Sequence, residues 1–124
     1  MRQRYGAPAS LGLNHWALSG DWTIGAEYAV AAGGSGRGAF RFDARDLHLI
    51  MGPASVGGSQ RFRVTLDGEP PGASHGVDVD ADGWGRLDET RMYQLIRQAA
   101  AVRDRVFEIE FPEAGARVYD FTFG

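Results

Sequence analysis

The sequence predicts an all-β chain, a two-sheet antiparallel, jelly-roll-like β-sandwich of about eight or nine strands. Three observations carry this expectation. Apolar residues recur at every second position in several segments, which is the period of a half-buried strand. Eighteen glycines cut these segments into short pieces. The segments follow one another at a regular spacing of roughly ten residues, as strands of a sandwich or barrel do.

Residues 1–12 read as an N-terminal extension, a linker from an upstream domain, and 13–124 as one sandwich domain. Over 22–30, Trp22, Ile24, Ala26, Tyr28 and Val30 share one parity, with Thr23, Gly25 and Glu27 on the other, so a single strand is expected with Trp22 in the core. Gly33-Gly34-Ser35-Gly36 then turns the chain. Over 39–51, Phe40, Phe42 and Ala44 share one parity and Leu47, Leu49 and Met51 the other. Such a slip predicts a bulge or bend near Arg45-Asp46, the device by which a sandwich moves a strand between sheets.

Phe62, Val64 and Leu66 point inward from a strand over 61–67, which Asp67-Gly68 and Pro70-Pro71-Gly72 end. Val77 and Val79 mark a short strand, Asp82-Gly83 a tight turn and Leu87 the returning arm of a hairpin. Met92, Leu95, Ile96 and Ala99 have helical spacing, but the β-rich surroundings favour a strand at 91–97. Phe107, Ile109 and Phe111 form the next strand, 112–115 turns, and Tyr119, Phe121 and Phe123 alternate to the end.

Composition narrows the function. Formal net charge is −3, the wrong sign for a nucleic-acid binder or for attraction to an anionic membrane surface. All 13 basic residues are arginine, which suits surfaces that grip carboxylates or stack on aromatics. With no cysteine, the chain has no disulfide, thiolate metal site or cysteine nucleophile. No apolar run reaches membrane-spanning length. The leading Met1-Arg2-Gln3-Arg4 reads as a start at a domain boundary, with targeting information upstream of it.

Few motifs carry chemistry. Asp78, Asp80, Asp82 and Gly83, followed by Glu89, fit the calcium-loop template D-x-D-x-D-G-x5-E. An EF-hand needs a helix on each side, whereas the flanks here read as strand, so an acidic hairpin competes with the calcium reading. No cofactor is otherwise expected. His15, His48 and His75 show no metal-ligand spacing. No serine reads as the apex of a strand-to-helix nucleophile elbow. Gly33–Gly36 lacks the following helix that phosphate binding requires. The remaining lead is aromatic: sugar rings pack their C–H faces on Trp, and nearby polar groups bind their hydroxyls. Trp84 shares parity with Arg86 and Asp88 and should lean to solvent, and Trp16 precedes the first clear strand.

Several segments carry a family resemblance in order along nearly the whole chain. They are Leu13–Gly25 (LNHWALSGDWTIG), Phe40–Leu49 (FRFDARDLHL), Arg63–Gly68 (RVTLDG), His75–Asp80 (HGVDVD), Tyr93–Arg97 (YQLIR) and the terminal Phe121–Gly124 (FTFG). Together they resemble the C-terminal domain of DipZ-type thioredoxin-like proteins. The resemblance implies a sandwich similar to carbohydrate-binding modules, an extracytoplasmic location and an association with disulfide exchange or cytochrome c maturation. It places the redox cysteines in a neighbouring thioredoxin-like domain and the membrane contact in the parent protein alone.

Two readings follow. In the first, the domain is a non-catalytic module that binds an envelope glycan through Trp16 or Trp84, with Arg45, His48 and His75 as polar partners. In the second, it is a protein-docking, structural or dimerisation domain that supports the thioredoxin-like domain of the same polypeptide. An enzyme built on a metal held by dispersed histidines and aspartates is the weakest option.

Overall fold

In a computed structural model of the chain, the backbone is described for residues 2–10, 17–24, 29–31, 36–42, 44–55 and 57–123, and side chains for those between 36 and 119. Ten strands occur among the described residues: β1 (Arg2–Ser10), β2 (Ala17–Ile24), β3 (Ala29–Ala31), β4 (Gly36–Phe42), β5 (Asp46–Gly52), β6 (Gln60–Leu66), β7 (Trp84–Leu87), β8 (Arg91–Arg97), β9 (Arg105–Phe111) and β10 (Arg117–Phe123). One 3₁₀ turn, Gly72–Ser74, lies between β6 and β7.

Every pairing is antiparallel, along the path β7-β6-β9-β4-β2-β3-β10-β5-β8, with β1 on β2. The path divides at β2. Its Ala17–Ser19 half pairs with β4, and its Trp22–Ile24 half with β3. Both partners share one edge of β2, because β1 occupies the other. Beyond this junction the strands separate into two layers, β7-β6-β9-β4 and β10-β5-β8, the jelly-roll-like sandwich expected.

Alternation builds the core. Phe40 and Phe42 of β4, Phe62, Val64 and Leu66 of β6, and Phe107, Ile109 and Phe111 of β9 are buried from one layer. Leu47, Leu49 and Met51 of β5 and Tyr93 and Leu95 of β8 are buried from the other. Phe62 and Tyr93 meet across the layers edge to face, with centroids 5.9 Å apart and planes at 78°. The parity slip between Phe42 and Leu47 is resolved as expected: the chain bends at 44–45, leaves β4 in one layer and enters β5 in the other.

Two buried glutamines fasten the connections. Gln60 accepts from Ala54 N–H at 2.7 Å and donates to Ala114 C=O at 2.8 Å. Gln98 donates its side-chain amide to Ala44 C=O at 2.9 Å and Arg103 C=O at 3.0 Å. Buried amides of this kind persist because each polar atom finds a partner.

Residues 67–83 form a strap across one flank of the sandwich. On β8, Gly76 N–H donates to Leu95 C=O at 2.8 Å and Asp78 N–H to Gln94 C=O at 3.1 Å. On the other layer, Gly83 C=O accepts from Val64 N–H at 2.8 Å, and Asp80 N–H donates to Trp84 C=O at 3.0 Å. Both terminal strands of the path, β7 and β8, are therefore partly covered.

Four expectations are corrected. The single strand over 22–30 is a hairpin, with Trp22 opposite Ala31 and Ile24 opposite Ala29. This register pairs even positions with odd ones, so one period-two pattern does not run through both arms. The core assignment of Trp22 falls outside the described side chains. Residues 2–10, placed in an extension, instead add β1 to the edge of β2. Those two changes account for the larger strand count. Residues 77–79 are a hairpin arm only in part: Val79 makes a single antiparallel bridge to Gly85 across the turn, but Val77 is 78% exposed and β7 pairs along its length with β6. Finally, Val118 rather than Tyr119 is buried in β10, where the register with β5 shifts between Val118 and Asp120. The strand at 91–97 has the expected bounds: Tyr93 and Leu95 follow the pleat and Met92 is exposed, while Ile96 is buried beside Leu95 where the register with β5 shifts.

Replacing Phe62 with alanine removes a fully buried ring from the contact between layers. F62A should cost about 3–5 kcal/mol, whereas V77A should change stability by less than about 0.5 kcal/mol. Urea unfolding of the two variants checks this; equal losses would contradict the layer assignment.

Candidate functional site

The β6–β7 pairing assembles a surface from residues far apart in sequence. Its register sets Arg63 opposite Trp84 and Arg61 opposite Arg86. Gly85 between them faces inward, because a Cβ there would lie 2.3 Å from the Phe62 ring and 2.7 Å from Asp78 C=O. Trp84 and Arg86 therefore face outward, with the outward residues of β6. The Arg61 and Arg63 guanidiniums lie 5.2 and 5.4 Å from the centroid of the half-buried Trp84 ring, within cation–π range. Arg61, Trp84, Gly85 and Arg86 line a shallow depression of about 430 Å³.

The turn before β7 fixes the position of the ring. Gly83 N–H donates to Asp80 C=O at 2.9 Å, and Gly83 adopts φ +92°, which leaves no room for a side chain against Val64 C=O. The Asp80 carboxylate accepts from Asp82 N–H and Trp84 N–H, each at 3.0 Å. Arg63 donates to Asp82 C=O at 3.1 Å and Arg86 to the Ser59 hydroxyl at 2.9 Å. Farther inward on the same layer, Arg37 is matched by Glu110 at 2.9 Å.

A second polar cluster belongs to the strap and β8. Asp78 accepts from the Arg91 guanidinium at 2.9 Å and from Gln94 N–H at 2.7 Å. Burial pushes the Asp78 carboxyl up, but these hydrogen bonds and the nearby charges of Arg91 and His48 hold it below the usual carboxylate range. The Asp78 carboxylate in turn raises Arg91. Arg91 stacks over the Tyr93 ring at 3.8 Å. The buried Tyr93 hydroxyl donates to Glu89 C=O at 2.7 Å and lies 3.2 and 3.3 Å from the N–H groups of Asp88 and Glu89. Burial raises the Tyr93 hydroxyl.

The candidate residues are thus divided. Trp84 lies on the outer side of the β7-β6-β9-β4 layer. Half-buried His48 on β5 stands opposite Gln94 on β8, His75 is bridged to Ile96, and Arg45 is exposed at the bend before β5. These three belong to the other layer and do not surround Trp84. Trp16 and His15 lie outside the described residues.

Two carboxylates of the calcium-loop motif are engaged by the fold itself. Asp78 is an ion-pair partner and Asp80 caps the turn, while Asp82 and Glu89 are exposed. Among the described residues, no three acidic or histidine side chains gather as a metal cage.

Sequence reasoning missed Arg61 and Arg63, whose role emerges only from the register with β7. It also passed over Gly72-Ala73-Ser74-His75-Gly76, which spells G-x-S-x-G. The geometry does not suit a nucleophile elbow: Ser74 ends a three-residue 3₁₀ turn, and its hydroxyl accepts from Ala99 N–H at 3.1 Å.

Fold and surface together define a small β-sandwich module with an aromatic–arginine face. The chain belongs to the family described as the thioredoxin-like C-terminal domain, whose profile matches residues 1–124. No curated protein matches it. Among solved structures, a family two carbohydrate esterase from Cellvibrio japonicus is similar with a TM-score of 0.68 at 10% identity, over 99% of this chain and 34% of the esterase. A family two carbohydrate esterase from Clostridium thermocellum, in complex with cellohexaose, is similar with a TM-score of 0.57 at 13% identity, over 83% of this chain and 29% of that one. An active-site mutant of the Clostridium thermocellum enzyme gives 0.61 at 11% identity, with the same coverage of both chains. At these identities the likeness is one of fold, and this chain spans about a third of the length of each esterase.

The Asp78 cluster predicts an acid-sensitive contribution to stability. A carboxyl held low in the folded state stabilises in full above its unfolded value, near pH 3.9, and loses this as pH falls through the lower folded value. D78N should cost roughly 1–3 kcal/mol at neutral pH. Unfolding followed from pH 7 to pH 2 should show the gap to the unsubstituted protein closing below about pH 4. A gap independent of pH would contradict it.

Proposed function

We propose that this domain is a non-catalytic, carbohydrate-binding-like module of a thioredoxin-like, DipZ-type extracytoplasmic polypeptide, and that it binds an envelope glycan on the β6–β7 face. The observation that carries the reading is Trp84: an outward, half-buried indole bordered by arginine donors on a rigid strand pair. A sugar needs both a flat apolar surface for its C–H face and planar donors for its hydroxyls. The depression is open, as a polymer passing across the surface requires.

Energetics favour the exchange. Each guanidinium resting on the ring is held by about 0.5–1 kcal/mol at an exposed site. Hydrogen bonds to a charged donor contribute about 1.5–3 kcal/mol each, so a sugar that engages the displaced arginine recovers the loss. Arg45, His48 and His75 lie on the other layer and are not part of the proposed platform.

With no cysteine in this chain, thiol chemistry in the proposed polypeptide would reside in another domain. The family's description as a thioredoxin-like C-terminal domain supports that arrangement, with the module following a redox domain and holding it near the envelope.

A glycan array followed by calorimetry on the best ligand tests the proposal. W84A should lower affinity about tenfold or more, corresponding to at least ~1.4 kcal/mol. Its unfolding midpoint should stay close to that of the unsubstituted protein, because the ring lies outside the core. No binding by the unsubstituted protein to any envelope glycan would overturn the reading.

A further inference from the structure

We infer that the ligand of the Trp84 face is an anionic glycan, whose oxyanion group is clamped between Arg61 and Arg86; this rests on the glycan-binding reading above. The inference comes from a like-charge pair. Arg61 and Arg86 stand directly opposite each other across β6 and β7, an arrangement that destabilises a sheet through repulsion. Arg63, directly opposite Trp84 in the register, adds a third guanidinium beside them.

Little in the protein answers the charge of the Arg61–Arg86 pair. Among the described residues, the nearest carboxylate to any of the three is Glu113, 3.8 Å from Arg61. Arg63 and Arg86 spend their hydrogen bonds on a backbone carbonyl and a serine hydroxyl. Glu110, the β9 neighbour of Arg63, is taken by Arg37. Asp82 accepts from Arg63 with its backbone carbonyl. In a chain of net charge −3, the Arg61–Arg86 pair thus lines the depression beside Trp84, while Arg63 lines a neighbouring one with Arg37, Glu108 and Glu110.

The chemistry of the clamp selects the ligand. Guanidinium forks match planar or tetrahedral oxyanions with paired N–H bonds, which a hydroxyl does not use as fully. The indole beside them accepts the apolar face of the same or the adjoining sugar. The ligand class is therefore a glycan carrying a uronate carboxylate, or a sulfate or phosphate ester, within one residue of the stacked ring. Bridging by such a group relieves the Arg61–Arg86 repulsion, so binding and sheet stability are coupled.

Titration calorimetry on the full chain, at low and at moderate salt, distinguishes the outcomes. The probes are an oligogalacturonate, the same oligosaccharide with its carboxyls reduced to alcohols, a chondroitin sulfate oligosaccharide, neutral cellohexaose, and polyglutamate. A charged oligosaccharide should bind at least tenfold more tightly than the neutral ones, and the preferred arm identifies carboxylate or sulfate as the oxyanion. R61Q and R86Q should each remove most of that preference while leaving weak neutral binding, and W84A should weaken both. Saturation with the charged glycan should raise the unfolding midpoint more in the unsubstituted protein than in R86Q. Equal affinity for reduced and carboxylated oligosaccharides would overturn the anionic inference while leaving glycan binding intact. Polyglutamate binding as tightly as the charged sugars would also overturn it, as electrostatics without a sugar. Failure of every glycan to bind would overturn both readings.

Discussion

The contact between two facing β-layers is the constraint on which the rest depends. Phe62 reaches from β6 and Tyr93 from β8 to meet at 5.9 Å between the layers. Tyr93 is fully buried, and its hydroxyl holds the Asp88–Glu89 turn that joins β7 to β8. Phe62 in turn packs beneath Gly85, where a methyl group would collide with its ring. One aromatic pair thus sets the spacing of the layers and presses β7 against β6. The outward side of β7 inherits that rigidity, which is why Trp84 and its arginines are presented on a fixed surface.

Much of the fold was legible because half-buried antiparallel strands write their pleat into the sequence. The inward residues of β6 and β9 alternate with polar ones, those of β4, β5 and β8 largely so, and the parity slip around Arg45 marks the passage between layers. What alternation does not encode is partnership. Trp22 through Val30 looks the same as one strand or as two arms of a hairpin. Leu87 is equally buried whether its strand pairs chiefly with 77–79 or, as it does, with β6, leaving 77–79 the single bridge from Val79 to Gly85. Those choices depend on contacts distant in sequence, and a local pattern is blind to them.

The site was less legible for the same reason. Parity alone indicated that Trp84 leans outward, but its arginine neighbours follow from the β6–β7 register. The histidines and Arg45 looked equally suitable as polar partners, and the topology sends them to the other layer. The acidic loop shows the converse problem. Carboxylates at alternating positions suit a cation cage, but they also suit a tight turn in which Asp80 gathers two N–H groups and Asp78 pairs with Arg91. One composition serves both purposes, and only geometry separates them.

The strap over 67–83 has a bearing on how a β-domain avoids joining its neighbours. A strand with unanswered N–H and C=O groups templates the addition of a neighbour's strand, the common route from crowded β-proteins to aggregates. Here the chain folds its own backbone over part of both terminal strands, on one flank, before any neighbour arrives. Tandem domains are held at high local concentration by their shared polypeptide, and in such a setting this self-covering would guard against misassembly. It also leaves the broad outer surface of the first layer, rather than that flank, as the side open to recognition.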